Sequence, residues 1–571
     1  MTQEKKPTWK DAIQLGVIGG VLVLFVSLVG MVQAFDGRYI ISETLTLGQL
    51  LLFLPPLIVG YISATRTDAQ HRVSGILFGS VSGLVTGAIL AALLLLGSAI
   101  NLRAMFINAS PELMDILMFG QETLAVATAV LVIGGALLSV LGAVIRLSPP
   151  LIRSAILSGV SAVIIMGIMQ ELLKITFGGR DWYMPIDDFL YEQKGLSWMG
   201  VVVTFLLGVA ISLWRARSAS RPKKTVVKTR SRERQRYVQI GSFVLGAILL
   251  LILPQFLGPY PSEILNTVGI YVIMGIGLNI VVGYAGLLDL GYVAFFAIGA
   301  YVVGVLTTTG SLATVMWSWW LALPFAVLVS LLAGVILGIP VLKMRGDYLA
   351  IVTLGFGEII RVVALSNWLK PYIGGAQGIL QVPKPQIGDF VFKDPEQIFY
   401  LVAIGIGIVA FVAFRLRDAR VGRAWKALRE DEDVAEAMGI NLVNTKLLAF
   451  ATGAAFAGLS GAIFATKLGS IFPHSFNLIV SINVLSLIIV GGIGSIPGVL
   501  VGAFMLVGLP ELLREFADYR MLMYGALLVV MMLVKPEGFI PEKTHKAELT
   551  DRGDVDFDSE IEPIAPAITE I

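Results

Sequence analysis

The sequence predicts an all-α membrane protein, a polytopic bundle of transmembrane helices. Of its 571 residues, 56% are hydrophobic and only 14% are charged, and its mean hydropathy is +0.84. Soluble globular proteins carry about 25% charged residues. Apolar runs of about 17–25 residues, the length that crosses the hydrocarbon core of a bilayer, recur along the whole chain. Every second loop between these runs is basic, which is typical of a multi-pass protein.

We predict about sixteen spans, six in the amino-terminal part and about ten after Tyr237, from the length and composition of the apolar runs. The stretch from 263 to 309 is predicted to hold either two full spans or one span with a broken helix. The ten carboxy-terminal spans fill residues 237 to 534, and the first six are predicted at 12–35, 47–64, 73–99, 124–145, 152–177 and 198–214.

Lys and Arg in short loops orient a membrane protein, because basic loops stay on the cytoplasmic side. Such loops include the first ten residues, TRTDAQHR, RLSPPLIR, KMRGD and RLRDARVGRAWKALRE. The intervening loops, such as GGRDWYMPIDDFLYEQKG, carry acidic and aromatic residues. We therefore expect a multi-pass protein of the cell inner (plasma) membrane with both termini in the cytoplasm.

Four regions follow from charge and hydropathy. Residues 1–214 form a six-span membrane domain with no assigned role, and 215–236 form a basic cytoplasmic linker with ten Lys or Arg and one Glu. A second membrane domain covers 237–535, and the acidic tail 536–571 is predicted to be disordered. The linker's basic cluster favours contact with anionic membrane lipid. The net charge of +2 gives no indication of nucleic-acid binding.

The residue inventory excludes several kinds of chemistry. There is no cysteine, which excludes disulfides, thiolate metal sites and cysteine nucleophiles. The three histidines, His71, His474 and His545, lie far apart and have no partner at metal-ligand spacing. No metal site is expected.

The segment from Arg420 to Phe450 predicts a short amphipathic helix on the cytoplasmic surface, near 421–440. Its basic face holds Arg423, Lys426 and Arg429, and its apolar stripe holds Trp425, Leu428, Ala435 and Met438. Gly439 is predicted to end the helix, and Asn444 to cap the span that follows from Thr445. We expect its acidic and apolar groups to face the cytosol.

Five motifs carry a family resemblance. EDEDVAEAMGINL resembles the Glu-Ala-Ala loop of the permeases of ATP-binding-cassette (ABC) importers. It stands among LNIVVGYAGLLDLGYVAFFAIGAYV from Leu278, KMRGDYLAIVTLGFGEIIRVV from Lys343, FAGLSGAIFA from Phe456 and IIVGGIGSIPGVLVGA from Ile488. Taken in chain order over about residues 269–539, the five motifs resemble the LivM-type permease of branched-chain amino-acid importers.

The resemblance implies an ABC-importer permease fold in the carboxy-terminal half and a set of ATPase-coupling residues, Arg429, Glu432, Glu436, Ala437 and Gly439. It also implies partners: two ABC ATPase subunits, a second permease subunit in a heterodimer, and a periplasmic or lipid-anchored substrate-binding protein. The chain contains no G-x-x-x-x-G-K-[ST] motif, so we expect no ATPase site in it. No cofactor is expected in this chain, and ATP and Mg would be used by the partner subunits.

Polar residues within apolar spans are costly in lipid and should face the bundle interior or a water-filled cavity. The substrate-pathway candidates are Asn279, Asp289, Thr353, Glu358 and Asn483. For Glu358 the favoured alternative is a structural ion pair with Arg361, three residues later on the same helix face. For Asp289 the alternative is capping of a helix end near the membrane surface.

The sequence GGIGSIPG joins two apolar segments through Gly491, Gly492, Gly494 and Pro497. One interpretation is a tight cytoplasmic turn. The other is a gate or a broken helix that lines the path, because freed backbone groups at membrane depth must face protein or water.

Three functions remain open at this point. The first is an ABC-importer permease for branched-chain amino acids, with urea or short-chain amides as alternative substrates in the same family. The second is an ion-coupled secondary transporter, which usually needs an intramembrane acid and inverted repeats. The third is a membrane-embedded enzyme, and the shortage of histidine argues against it.

Overall fold

The computed structural model describes residues 8–65, 72–192, 194–219, 250–341, 344, 346–512 and 519–541. The chain divides into two compact units, Met1–Glu233 and Arg234–Ile571, and the division falls within the predicted basic linker. Most of that linker, from 220 onward, and the tail beyond 541 lie outside the described residues. The predicted four-region organisation therefore stays a prediction.

The protein is a multi-pass helical membrane protein. Among the described residues, twelve helices are long and apolar enough to cross a membrane, and Val293–Thr307, Ile496–Leu512 and Met521–Val534 are shorter apolar helices. The predicted span from Tyr237 begins outside the described residues, so the count of about sixteen stays a prediction. The all-α fold class is confirmed.

The first unit contains six of the long helices, one for each predicted span. The first and fifth of them end at Val29 and Ile168, before the predicted ends at 35 and 177. The helices of this unit are α1 Trp9–Val29, α2 Met31–Ala34, α3 Leu47–Thr65, α4 Arg72–Ala99, α5 Pro111–Met118, α6 Leu124–Leu147, α7 Pro150–Ile168, α8 Gln170–Phe177, α9 Met184–Leu190 and α10 Trp198–Ala219. Its short strands, β1 Tyr39–Ile41, β2 Leu45–Thr46, β3 Tyr191–Glu192 and β4 Gly195–Leu196, form one sheet in the order β2-β1-β4-β3.

Small residues bring the helices of this unit into close contact. Added Cβ atoms at Gly60 and Gly83 would collide with backbone oxygens of α6. The hydroxyl of Ser139 donates to the Gly79 carbonyl at 2.7 Å, and that of Thr86 donates to the Gly16 carbonyl at 3.0 Å. Close packing and interhelical hydrogen bonds hold helices together in lipid, where hydrophobicity alone does not.

The second unit contains the remaining elements. Its helices are α11 Pro259–Leu278, α12 Val293–Thr307, α13 Trp319–Val341, α14 Asp347–Leu365, α15 Lys370–Ile373, α16 Pro395–Asp418, α17 Arg420–Glu430, α18 Glu432–Ala437, α19 Leu442–Leu468, α20 Leu478–Gly491, α21 Ile496–Ala503, α22 Leu509–Leu512 and α23 Arg520–Val534. One π-helical turn, Asn279–Tyr284, continues α11, and another, Phe504–Gly508, joins α21 to α22. Two strand pairs, β5 Ile379–Leu380 with β8 Ser470–Ile471 and β6 Gln386–Ile387 with β7 Phe390–Val391, complete the unit.

The region from 263 to 309, left open between two arrangements, holds a full-length span followed by a helix of only 15 residues. Between them runs the irregular segment 285–292, most of which is buried. The Tyr292 hydroxyl donates to the Gly453 carbonyl of α19 at 2.7 Å, some eleven residues, or about 17 Å, into that helix. The irregular segment therefore crosses part of the membrane inside the protein, where its backbone can be satisfied.

Helices α12 and α19 touch through their backbones. A Cβ at Gly299 would lie 2.2 Å from the Gly458 carbonyl oxygen, and one at Gly461 would collide with the Phe296 carbonyl oxygen. Glycine at these two positions is required by the close approach. Around this crossing lies the core of the unit, with Phe295, Phe450 and Val303 fully buried.

We predict that Gly299→Leu prevents correct folding of the second unit. Overpacking usually costs about 1–3 kcal/mol when side chains can shift, and here the obstacle is backbone. The matched control is Gly407→Leu on α16, because a Cβ there meets no atom within 4 Å. Size-exclusion chromatography of both variants in detergent should show loss of the monodisperse peak for Gly299→Leu only, and equal behaviour of the two would contradict this packing.

Candidate functional site

The segment predicted to be one cytoplasmic helix near 421–440 is two helices. Helix α17 ends at Glu430, Asp431 has an extended backbone, and α18 begins at Glu432. The Asp431 carboxylate accepts hydrogen bonds from the amides of Asp433 and Val434, both at 2.9 Å. An Asp in an extended conformation is a strong helix N-cap, so it starts a new helix here instead of continuing the first. We call α17 and α18 together the helix pair.

The apolar stripe of the helix pair is mostly turned toward the protein, which corrects the expectation that it faces the cytosol. Trp425, Leu428 and Ala435 are buried, and only Met438 is exposed. The Trp425 indole nitrogen donates to the Thr445 carbonyl of α19 at 3.0 Å. The stripe therefore fixes the helix pair to the membrane bundle.

Arg429, predicted to be an ATPase-coupling residue, contacts the membrane domain. Its guanidinium donates to the Gly283 carbonyl at 2.7 Å, at the π-helical turn that ends α11. Its side chain also lies against Gly286, where a Cβ would sit 3.0 Å from Arg429 Cγ. Gly286 has φ +71, a conformation that favours glycine. Arg429 thus joins the helix pair directly to the end of a transmembrane helix.

Glu432, also predicted to be an ATPase-coupling residue, forms an ion pair with Lys446 near the start of α19. The Lys446 side chain is 2% exposed and that of Glu432 is 20% exposed. An ion pair with such low exposure is costly to break, because removal of one partner leaves the other charge unpaired. Lys446 was not singled out in the sequence, since it reads as an ordinary basic residue at the start of a span.

The end of the helix pair agrees with the sequence. Gly439 has φ +86, the Gly439 amide donates to the Glu436 carbonyl at 2.9 Å, and the Ile440 amide donates to the Ala435 carbonyl at 3.1 Å. These are the bonds of a Schellman motif, which ends a helix at a left-handed glycine. The predicted cap of the next span was wrong. Asn441, and not Asn444, caps α19 by accepting from the Asn444 amide at 3.0 Å.

Glu436 and Ala437 are exposed, together with the apolar side chains of Val434 and Met438. These four residues define what we call the display surface. Of the five residues predicted to couple to an ATPase, Glu436, Ala437 and Gly439 lie at the exposed end, whereas Arg429 and Glu432 attach the helix pair to the bundle. The predicted set is therefore split into two groups by the structure.

The Gly-rich sequence from Gly491 to Gly498 is a tight turn between α20 and α21, which we call the hairpin turn. Gly492 and Gly494 have φ +120 and +83, Pro497 occupies the first turn of α21, and the Ser495 hydroxyl caps that helix. A Cβ at Gly491 would lie 2.1 Å from the Gly498 carbonyl oxygen. The backbone forms the tight turn, and a gating role for it stays a prediction.

Asn279, a pathway candidate, connects the π-helical turn to the hairpin turn. Its side-chain oxygen accepts from the Gly494 amide at 2.8 Å, and Asn279 is fully buried. Arg429 contacts the same π-helical turn, at the Gly283 carbonyl. The helix pair, the end of α11 and the hairpin turn are thereby joined by consecutive polar contacts.

The chain returns to the hairpin turn near its described end. The Phe539 amide donates to the Val490 carbonyl and the Ile540 amide donates to the Gly491 carbonyl, both at 2.9 Å. Gly538, with φ +85, lies against Gly492, so closely that a Cβ would be 2.5 Å from the Gly492 Cα. The hairpin turn is therefore held on two sides, by Asn279 and by residues 538–540.

Asp289 and Thr353, two pathway candidates, lie together in the protein interior. Asp289 is buried in the irregular segment and accepts from the Gly291 amide at 2.9 Å. The Thr353 hydroxyl of α14 accepts from the Leu290 amide at 3.0 Å. The Ser481 hydroxyl of α20, which sequence reasoning missed, accepts from the Val293 amide at 2.9 Å and so satisfies the start of α12. These side chains supply the partners that the irregular backbone needs.

The other two pathway candidates lie apart from this cluster. Glu358 forms the expected ion pair with Arg361 at 2.8 Å, and both side chains are partly exposed. Asn483 is half-buried on α20, two residues after Ser481. The five candidates therefore do not form one site.

A second charged cluster lies where α11 begins and α19 ends. Lys467 pairs with Glu263 at 2.9 Å and donates to the Thr267 hydroxyl at 2.6 Å, while Lys384 donates to the Lys467 carbonyl. Burial lowers the pKa of Lys384, and the nearby Lys467 charge lowers it further. This cluster joins the loop after β5 to the bundle, at the end of the unit opposite the helix pair. No sequence motif indicated it.

The comparisons with known proteins concern the part of the chain that holds all these contacts. A family described as branched-chain amino acid transport system / permease component matches residues 260–533. Over 295 residues the chain is 44% identical to the high-affinity branched-chain amino acid transport system permease protein LivM of Salmonella typhimurium, covering 48% of this chain and 68% of that relative. The chain belongs to this family.

Other permeases of the family agree with this assignment. LivM of Escherichia coli is 43% identical over the same length and coverage. LivH of Salmonella typhimurium is 26% identical over 288 residues, which cover 47% of this chain and 91% of that permease. No solved structure matches the chain. The resemblance to LivM-type permeases drawn from the sequence motifs is confirmed, and the permease match lies wholly within the second unit.

We predict that Lys446→Met destabilises the permease by leaving Glu432 without its partner. Breaking a buried ion pair costs roughly 3–5 kcal/mol, and the partial exposure of Glu432 places this pair at the low end. The matched control is the double variant Glu432→Leu with Lys446→Met, which removes both charges and should recover most of the loss. Thermal unfolding in detergent measures both, and equal unfolding temperatures for the single and double variants would contradict the pairing.

Proposed function

We propose that this chain is a permease subunit of an ABC importer for branched-chain amino acids, and that it couples separate ATPase subunits to a path through the membrane. The observation that carries the proposal is that the helix pair has one side attached to the bundle and one open side. One side of it is bound to α11 and α19 through Arg429, Trp425 and Glu432, while the display surface stays open to a partner.

The display surface suits a protein partner on the cytoplasmic side. Val434 and Met438 are 58% and 79% exposed on a segment otherwise fixed by buried contacts. Exposed apolar side chains beside a carboxylate, here Glu436, are typical of a docking surface with a polar rim. From the basic loops we infer that this end of the unit lies in the cytoplasm, with both termini on the same side.

Movement of a docked ATPase would reach the bundle through few contacts. The helix pair carries Arg429, which holds the π-helical turn, and the same turn carries Asn279, which holds the hairpin turn. Single π-helical turns are rare in proteins and are frequently found at functional sites. We infer that this turn yields when the helix pair moves, and that alternating access follows from the relative movement of α11 and the α20–α21 hairpin.

The remaining parts of the importer belong to other chains. The chain has no phosphate-binding loop, so two ATPase subunits would supply ATP hydrolysis with Mg. A second permease subunit would complete the path, and a periplasmic or lipid-anchored binding protein would deliver the substrate. Relatives named as branched-chain amino acid permeases support this substrate class.

The proposal is tested by reconstitution of the permease with its ATPases, second permease and binding protein in proteoliposomes. We expect uptake of radiolabelled leucine that requires ATP and continues when ion gradients are collapsed. Uptake that stops with the gradients would identify a secondary transporter. Uptake of urea in place of leucine would assign the substrate to the amide branch instead.

We further predict that Glu436→Lys prevents the ATPase subunits from binding, because it reverses the charge of the display surface. Gly439→Val should do the same by a different route, since a β-branched residue at φ +86 is strained and displaces the end of α18. The matched control is Asp389→Lys, an equal charge reversal at an exposed residue of the β6–β7 hairpin. Copurification of tagged ATPase measures all three, and full copurification with Glu436→Lys would contradict docking at this surface.

A further inference from the structure

One face of α14 is exposed along its whole length. Tyr348, Ile351, Ile359, Val362 and Leu365 are between 40% and 75% exposed, and they recur at the spacing of one helix face. Gly355 lies on the same face, and a Cβ there meets no atom within 4 Å. Thr353 and Ala364, on the opposite face, are buried against the rest of the unit.

An acid and a base lie beside this face, with Glu358 at its edge, three residues after Gly355, and Arg361 three residues further round the helix. Glu358 is the twelfth of the 19 residues of α14, about 17 Å from its start. Its carboxylate accepts from both Nε and Nη2 of Arg361 at 2.8 Å. The Glu358 and Arg361 side chains remain 39% and 33% exposed.

The neighbouring helix α13 shows what a lipid-facing surface of this unit looks like. The exposed side chains described on this helix are apolar or aromatic and include Leu321, Phe325, Leu328, Leu332, Ile336 and Ile339. The surface of α14 differs by an acid and a base at mid-depth. Ionisable groups within membrane helices almost always face the bundle interior or a water-filled cavity, because exposure to hydrocarbon costs several kcal/mol. The exposed face of α14 is therefore not a lipid surface.

We propose that the Glu358–Arg361 pair is the intramembrane binding site for the amino-acid zwitterion. This inference rests on the proposed function and names a site for it. The substrate ammonium group would bind the Glu358 carboxylate, and the substrate carboxylate would bind the planar guanidinium of Arg361, which suits a carboxylate through two parallel hydrogen bonds.

The surroundings fit the rest of a branched-chain substrate. Ile351 and Val362, seven residues before and four residues after Glu358, lie on the Glu358 side of the helix and offer aliphatic surface to an aliphatic side chain. Gly355 leaves space beside the ion pair. Without substrate, Glu358 and Arg361 neutralise each other, so the site is never left with an unpaired charge. When substrate binds, Glu358 pairs with its ammonium group and Arg361 pairs with its carboxylate. One ion pair is replaced by two, and the net charge of the site stays zero.

The absence of native cysteine allows a direct test of access and occupancy. Gly355→Cys in the assembled importer, in proteoliposomes with binding protein and ATP, is treated with a charged, membrane-impermeant methanethiosulfonate reagent. Ile336→Cys on the apolar surface of α13 is the matched control. We expect Gly355→Cys to react, Ile336→Cys not to react, and leucine to slow the Gly355→Cys reaction by about tenfold, equivalent to ~1.4 kcal/mol.

Two results of that test overturn the proposal. If Gly355→Cys never reacts, with or without ATP, a partner protein covers the face and no path runs along it. If it reacts at a rate that leucine does not change, the face lines a water-filled path but the site is not here.

Substitution of the pair gives an independent test. In Glu358→Leu with Arg361→Met both charges are removed while side-chain volume is largely kept, a change that proteins often tolerate for a purely structural pair. We expect the variant to copurify with its ATPases while leucine uptake falls about tenfold or more, and unchanged uptake overturns the proposal. If the double variant does not assemble, the single variant Arg361→Lys is tested in its place. Lys preserves the ion pair but not the two-pronged geometry, so uptake should fall, and unchanged uptake would show a structural pair.

These results can be separated from failure of the proposed function. The unmodified importer must first take up leucine with ATP. If it does not, the proposed function fails. If it does, and the α14 variants behave like the unmodified importer, only the site is wrong.

Discussion

The coupling that we propose for the permease unit depends on one charge-assisted hydrogen bond, from Arg429 to the Gly283 carbonyl. Carbonyls near the end of a helix lack intrahelical partners and need another donor. Here the donor comes from a helix outside the membrane bundle, so the end of α11 and the helix pair cannot move independently without breaking it. A hydrogen bond to a charged group contributes about 1.5–3 kcal/mol to folding stability. The contacts of Trp425 and of Glu432 with α19 hold the helix pair in the position that makes it possible.

Beyond this contact, the interior is organised around backbone that is not helical. The irregular segment 285–292 and the hairpin turn both expose amide groups within the protein, and buried side chains of other helices satisfy them. Thr353 and Ser481 accept from the amides of Leu290 and Val293, and Asn279 accepts from that of Gly494. Membrane proteins tolerate such backbone only where it is buried in protein or lines a cavity. These polar residues therefore have structural partners, and their intramembrane position does not by itself identify the path.

Much of the fold could be predicted from the sequence, because a span needs only a long apolar run between polar loops. The six amino-terminal spans, the left-handed Gly439 and the Glu358–Arg361 pair follow from local spacing alone. The family could also be recognised, since five short motifs occur in one order along the second unit.

What the sequence could not show depends on tertiary contacts. Helical periodicity runs through Asp431, yet the capping bonds of that residue divide the segment in two. The same periodicity made Trp425 look like part of a stripe that faces the cytosol. A helix that lies on a membrane bundle also has a protein-facing side, and the structure turns both Trp425 and Arg429 toward it. Lys446 and Ser481 gave no signal at all, because their partners lie on other helices.

The most direct test of this account is the coupling ratio of Arg429→Met, measured as leucine transported per ATP hydrolysed in the reconstituted importer. Met retains much of the apolar stem that packs on Gly286 and removes the donor to Gly283. The control is Arg423→Met on the same helix, whose guanidinium donates to the Asp418 carbonyl next to the helix pair, not to α11. The account predicts that the ATPases still bind and hydrolyse ATP in the Arg429 variant while the leucine-to-ATP ratio falls severalfold. A ratio equal to that of the unmodified importer would contradict it.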